Sequence, residues 1–217
     1  MKLFEAMVRS IVFYGVEIWG WKEQKDIEAL QERYLRWTLK LDRETPGYLI
    51  RRETGREKLG VKALERIIKF EERIKKEEEG TLLKECWKWT RRNVKGKHEE
   101  ERSGRLMELG WTKNEYEDQI GGREEVVKEI ITRERARNRL ESETKLMNSK
   151  YCKEIRWILN NQEETPGYLR EDNNLSRKEV IKIARHRMGN EARANRYWEK
   201  EENRRCRLCG KEEETIK

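Results

Sequence analysis

Apolar positions recur at helical spacing along the chain. Leu3, Phe4, Met7, Val8, Ile11 and Val12 return in pairs every four residues and line one face of a first helix. Ile27, Leu30, Tyr34, Trp37 and Leu41 make a second stripe, and Val61, Leu64, Ile67, Ile68 and Ile74 a third, with Gly80 as its stop. Leu82, Leu83, Cys86, Trp87 and Trp89 predict a short fourth helix, in which Cys86 reads as a small core residue. Leu106 and Leu109 close another at Gly110, after which Thr112 and Glu115 form a capping box. Val126, Val127, Ile130 and Ile131 open a long charged helix behind Gly121-Gly122. Ser176-Arg177-Lys178-Glu179 is a second capping box, opening a helix that Gly189 closes. No alternating run is long enough for a strand. The pattern predicts an all-α protein.

One fifteen-residue segment occurs twice. Residues Leu35–Leu49 and Ile155–Leu169 agree at nine positions: Arg, Trp and Leu in the helical part, then Glu-Thr-Pro-Gly-Tyr-Leu. Each copy ends a helix, turns, and restarts with Thr45 or Thr165 as N-cap and Pro46 or Pro166 at the first helical position. The plainer reading is a corner whose Tyr and Leu pack into the core, with Trp37 and Trp157 buried beside those tyrosines. The sharper reading is a duplicated surface for a repeating partner such as a nucleic-acid backbone.

Composition narrows the class. Hydrophobic residues make up 35% of the 217 and charged residues 43%, against about 25% charged in an average protein. The 51 basic and 43 acidic side chains nearly cancel to +8, and eight Trp argue against disorder. The balance describes an extended multi-helix array with narrow apolar stripes, and it excludes a compact enzyme with a large core. No stretch approaches the roughly 18 apolar residues of a membrane span. The start, Met1-Lys2-Leu3-Phe4-Glu5, is too charged for a signal peptide. Four scattered cysteines point to a reducing, nuclear or cytoplasmic compartment.

The N-terminal segment from Leu3 through Tyr14-Gly15-Val16-Glu17-Ile18-Trp19-Gly20 resembles a known family. It is similar to the stretch that follows the polymerase core in non-LTR (LINE-type) retrotransposon endonuclease–reverse transcriptases of insect genomes, where a Y-G-x-E-x-W-G helix belongs to the thumb. Leu30–Arg36 and Thr45–Leu49 fit the same pattern. So does the tail, from Ala184–Glu191 through Tyr197-Trp198 to Cys206-Arg-Leu-Cys209-Gly210 and Glu213-Glu214-Thr215. The middle, about 80–150, carries nothing specific. The resemblance implies RNA or DNA as partner, together with the palm and fingers of a parent RNA-directed DNA polymerase. The chain has no Asp-Asp pair, hence no Y-x-D-D signature and no carboxylates to hold the two metal ions of nucleotidyl transfer. It therefore reads as a truncated, non-catalytic fragment of four parts. These are a thumb-like region (1–80), a charged helical linker (81–150), a basic helical region (151–205) and the start of a zinc knuckle (206–217). On this reading the first helix exposes Phe4, Val8 and Val12, which a palm would cover.

Two constellations carry the functional expectation. Cys206-x-x-Cys209 has the spacing that lets two thiolates reach one tetrahedral ion, but a closed structural site needs four ligands. In the resembled family a His and a last Cys complete it, so no cofactor is expected here and zinc only in a longer parent chain. Residues 177–207 hold eleven Lys or Arg against five Glu, leaving +6 of the chain's +8. Lys178, Lys182 and Arg185 share one helix face, with Arg187, Arg193 and Arg196 following and Tyr197 and Trp198 placed to stack on unpaired bases. These eight residues are the expected nucleic-acid contacts. A smaller basic run, Lys84 to Lys97, interleaves Trp87 and Trp89 and faces only Glu85. No serine-hydrolase elbow, P-loop, dinucleotide fingerprint or H-E-x-x-H motif is present. The competing class is a charged helical scaffold that pairs its stripes with partner helices and binds no nucleic acid.

Overall fold

A computed structural model describes residues 3–93, 96–121, 124–149, 165–170, 172–193, 196 and 199–212. Among them there are helices and no strand, so the protein is all-α. They divide into two compact units that interleave along the sequence. Residues 1–28 and 57–138 form one, and residues 29–56 and 139–217 the other. The boundaries fall inside the helices Lys25–Leu39 and Glu124–Asn148.

The first unit is built on the helix Leu59–Lys76. Its buried stripe, Val61, Leu64, Ile67 and Ile68, joins Trp21, Leu106, Leu109, Trp111, Tyr116, Ile120 and the Val126–Ile131 quartet in one core. The short helix Val16–Trp19 lies against it, and Gly20 makes the approach possible. A Cβ at Gly20 would sit 2.6 Å from the Val16 carbonyl oxygen and 2.8 Å from Ile67 Cδ1. No side chain near Lys58 caps the long helix. Instead the buried Glu28 carboxylate accepts from the Leu59 and Gly60 amides at 3.1 and 2.7 Å, placing a negative charge at the positive helix end. The helix Lys97–Glu108 stops at Gly110, φ +76°, where Trp111 N–H donates to the Leu106 carbonyl and Gly110 N–H to that of Met107.

Three expectations for this unit are corrected. The first stripe does not persist because Phe4–Val8 winds as a π-helix, whose wider turn rotates the register. Phe4 is buried and Val8 and Val12 are half-buried, whereas Leu3, Met7 and Ile11 face solvent. The third helix ends at Lys76, and Gly80 sits in the following turn. The helix Leu82–Asn93 forms as expected, yet Leu82, Cys86 and Trp89 are exposed. It is Lys84 that turns inward, its ammonium donating to the Lys75 and Glu77 carbonyls.

The second unit has its own core: Leu35, Leu39, Leu41, Leu49, Ile50, Leu146, Ala184 and Met188, with Tyr48, Tyr168, Leu169 and Val180 against it. Both copies of the repeated turn thus reach one core, as the corner reading expects. Pro46 and Pro166 are N-caps here, preceding the helix Gly47–Glu53 and the 3-10 turn Gly167–Leu169. Thr45 caps nothing, and its hydroxyl instead accepts from Asn190 Nδ2 at 2.9 Å. Trp37 departs from expectation. It is 69% exposed and packs on Tyr34, ring centroids 6.1 Å apart. Leu35 and Leu39 explain this, since they hold the core-facing stripe and a residue midway between them points outward. Trp157 lies outside the described residues.

Candidate nucleic-acid interface

The basic helix Arg177–Arg187 begins with the expected capping box. Ser176 Oγ accepts from the Glu179 amide, and Glu179 Oε2 accepts from the Ser176 amide at 2.8 Å and its hydroxyl at 2.7 Å. Those bonds from the Ser176 hydroxyl and amide hold the Glu179 carboxyl below its ordinary value of 4.5. A carboxylate depressed in the fold stabilises it above its unfolded pKa and loses that contribution as pH falls through the folded one. Amide-exchange protection at Ser176 and Glu179 should therefore fade below about pH 4.5, and Ser176→Ala should remove about 1 kcal/mol of local stability at neutral pH.

The helix is anchored by Ala184 and Met188 in the core and closed by Gly189 at φ +71°. Beyond it, Asn190 Oδ1 accepts from the Asp42 amide at 2.8 Å. This anchorage fixes which cations remain available. Lys178 and Lys182 are exposed and make no ion pair among the described residues. Arg185 is committed elsewhere, donating to the Lys40 carbonyl at 2.5 Å, to Asp42 at 3.1 Å and to Glu191 at 2.6 Å. Arg187 forks onto the fully buried Glu53 at 2.6 and 3.3 Å, and Tyr168 Oη donates to the same carboxylate at 2.6 Å. Arg196 lies 3.6 Å from Glu199, and Arg193 is half-buried with a partner of its own. Tyr197 and Trp198 fall outside the described residues.

The two described lysines at the start of the second basic run are matched by acid. Lys84 and Lys88 both bind Glu79, 2.9 Å away for Lys84, and together they pull the Glu79 carboxyl down to about 2. The side chains of Arg91, Arg92, Lys95 and Lys97 lie outside the description. Trp87 is half-buried beneath the Lys75 ammonium, 5.8 Å from the ring centroid.

The Cys206–Cys209 segment folds as a tight turn. Gly210 N–H donates to the Cys206 carbonyl at 2.8 Å, Leu208 N–H to Cys206 Sγ at 3.4 Å, and Gly210 takes φ +68°. Backbone N–H groups of Glu212 and Lys211 hold the Cys209 thiol below its ordinary value, and the Cys206 thiol adds to this. Amide bonds to the Cys209 sulfur favour its thiolate, the form a metal takes. Among the described residues no group of three or more His, Cys, Asp or Glu could hold an ion. Two thiols are half of a closed tetrahedral site, so the described residues alone do not fit a structural zinc.

One exposed group was missed from sequence. On the helix Lys25–Leu39, Arg33 and Trp37 share an outward strip with Lys40 just beyond the helix end, and Arg43 follows in the next turn. Arg33, Lys40 and Arg43 are exposed and make no ion pair among the described residues. The signal was present in the Leu35, Leu39 spacing, which outweighs the Tyr34, Trp37 stripe as the core-facing register.

No known protein family matches the chain, and comparison with curated proteins and with solved structures returns no significant match. No helix among the described residues is long and apolar enough to cross a membrane.

Proposed function

We propose that this chain is a non-catalytic nucleic-acid-binding region, of the kind implied by its resemblance to the thumb and knuckle of non-LTR retrotransposon reverse transcriptases. One observation carries the proposal. Lys178 and Lys182 are exposed and make no ion pair among the described residues, on a helix locked in a core by Ala184 and Met188. A rigid helix with free ammonium groups on one side can neutralise phosphates without reorganising. The tight turn that carries Cys206 and Cys209 supports the same assignment, as half of a knuckle that a longer parent would complete.

The test replaces Lys178 and Lys182 together by Gln and leaves Arg185 in place, because Arg185 ties the helix to Lys40 and Asp42. The slope of log affinity against log salt should shrink by about 1.4–1.8, near 0.7–0.9 per lost phosphate contact. Helicity should persist, since Gln is a good helix former. An unchanged slope with binding intact would reduce the face to a solvated surface.

A second reading, a helix-pairing interaction protein, is favoured by the exposed Leu3, Met7, Ile11 and Ile18. It requires an oligomeric state that survives high salt, where phosphate binding fails.

A further inference from the structure

We infer that Trp37 is a base-stacking platform, which makes the nucleic acid bound at this site single-stranded. The inference rests on the proposed nucleic-acid reading and adds the substrate class to it.

The first observation is exposure without an internal role. Trp37 has 69% of its surface open, while Leu35 and Leu39 to either side are almost wholly buried. Tyr34 meets its ring at 44° and supports one side of the indole, and Leu30, 40% exposed, extends the apolar edge one turn back. The open indole face is available to a planar partner.

The second observation is charge. Arg33 lies four residues before Trp37 and Lys40 three residues after it, so cations bracket the ring along the helix. Arg43 follows in the next turn. The nearby acids are mostly engaged. Asp42 and Glu191 are held by Arg185, Glu32 by Arg36 and Arg51, and Glu179 by its capping box, while Glu44, among the described residues, is exposed next to Arg43. An apolar protein partner would meet cations that make no ion pair among the described residues. A nucleic acid offers a base to the ring and phosphates to the cations.

The third observation is continuity with the basic helix. Arg185 donates to the Lys40 carbonyl, which sets the end of the Trp37 helix against the Arg177–Arg187 helix. Lys182 and Lys178 stand one and two turns before Arg185 on the same face. The two helices thus meet at the Lys40 end of the aromatic strip, within the second unit. Duplex bases are stacked on one another and cannot lie on the indole, whereas single-strand bases can.

The experiment measures fluorescence anisotropy of labelled 20-nucleotide dT and U oligomers, and of a 20-base-pair DNA duplex, over a range of salt. The full chain is compared with Trp37→Ala, Trp37→Phe and the Lys178→Gln/Lys182→Gln pair. Trp37→Ala should weaken both single strands by about 5- to 100-fold, the worth of one stacked base. Its salt slope should not change, because no cation is lost. Trp37→Phe should recover most of the affinity, and duplex binding should be the same for all three Trp37 forms. Single-strand affinity unchanged in Trp37→Ala, or duplex affinity falling in parallel, overturns the stacking role. The outcomes separate the two ideas. If the unaltered chain binds no oligomer, the proposed function fails and this inference with it. If it binds with a lysine-dependent slope but is indifferent to Trp37, only the stacking role fails.

Discussion

Arg102→Ala is expected to destabilise the first unit by about 3–5 kcal/mol, the usual consequence of leaving a buried charge without its partner. The Arg102 side chain is fully buried. Its guanidinium forks onto Glu71 at 3.2 and 3.0 Å, reaches Glu117 at 3.1 Å, and lies 5.5 and 5.0 Å from the ring centroids of Trp21 and Tyr116. Glu71 is only 4% exposed, so truncation takes the guanidinium fork away from a buried carboxylate. Arg102→Lys should rescue little, because an ammonium lacks the planar fork and stacks poorly between two rings. Arg102→Met combined with Glu71→Leu should recover most of the loss by removing both charges. Urea unfolding with residue-level hydrogen exchange at Ile67 and Ile130 gives the measurement. A loss under about 1 kcal/mol would show that water reaches the pair.

Glu53→Ala should cost the second unit about 2–4 kcal/mol, somewhat less because Arg187 keeps 25% of its side-chain surface in solvent and can partly rehydrate. Glu53 is the hub through which Arg187 and Tyr168 are joined to the helix Gly47–Glu53. Burial, then the Glu53 charge, push the Tyr168 phenol above its ordinary value of 10. The phenol thus stays a neutral donor in the fold. Its contribution is complete below pH 10 and disappears as pH rises through the folded value. Exchange protection should fall at Leu49, Ile50 and Met188 and hold at Ile67 and Ile130. Equal loss at both sets of amides would contradict separate cores.

What could be read in advance was short-range. The capping boxes at Thr112 and Ser176 and the glycine closures at Gly110 and Gly189 form because their donors and acceptors lie within six residues of one another. The strong stripe of Leu59–Lys76 was equally plain. The misjudged positions depend on distant partners or on a small phase difference. Trp37 and Leu35 differ by two positions, which on a helix is the difference between solvent and core. Arg185 and Arg187 look free in sequence because Asp42 and Glu53, which hold them, are 143 and 134 residues away. Lys84 and Lys88 look free because Glu85 is the one acid within their run, whereas Glu79, which binds both, lies upstream of it. In a chain with 43% charge, geometry decides which cations are spare, and composition does not.

The interleaving of the two units sets an order on synthesis. Residues 1–28 and 57–138 are all translated once position 138 has emerged, so the first core can close while the C-terminal third is still being made. Residues 29–56 are made early yet must wait. Leu35, Leu39, Leu49 and Ile50 stay uncovered until Leu146, Ala184 and Met188 arrive. At roughly 5–20 residues per second the fifty residues from 138 to 188 take about 3–10 s. For those seconds, a nascent chain carries an apolar strip that belongs to its own future, open to chaperones or to another chain.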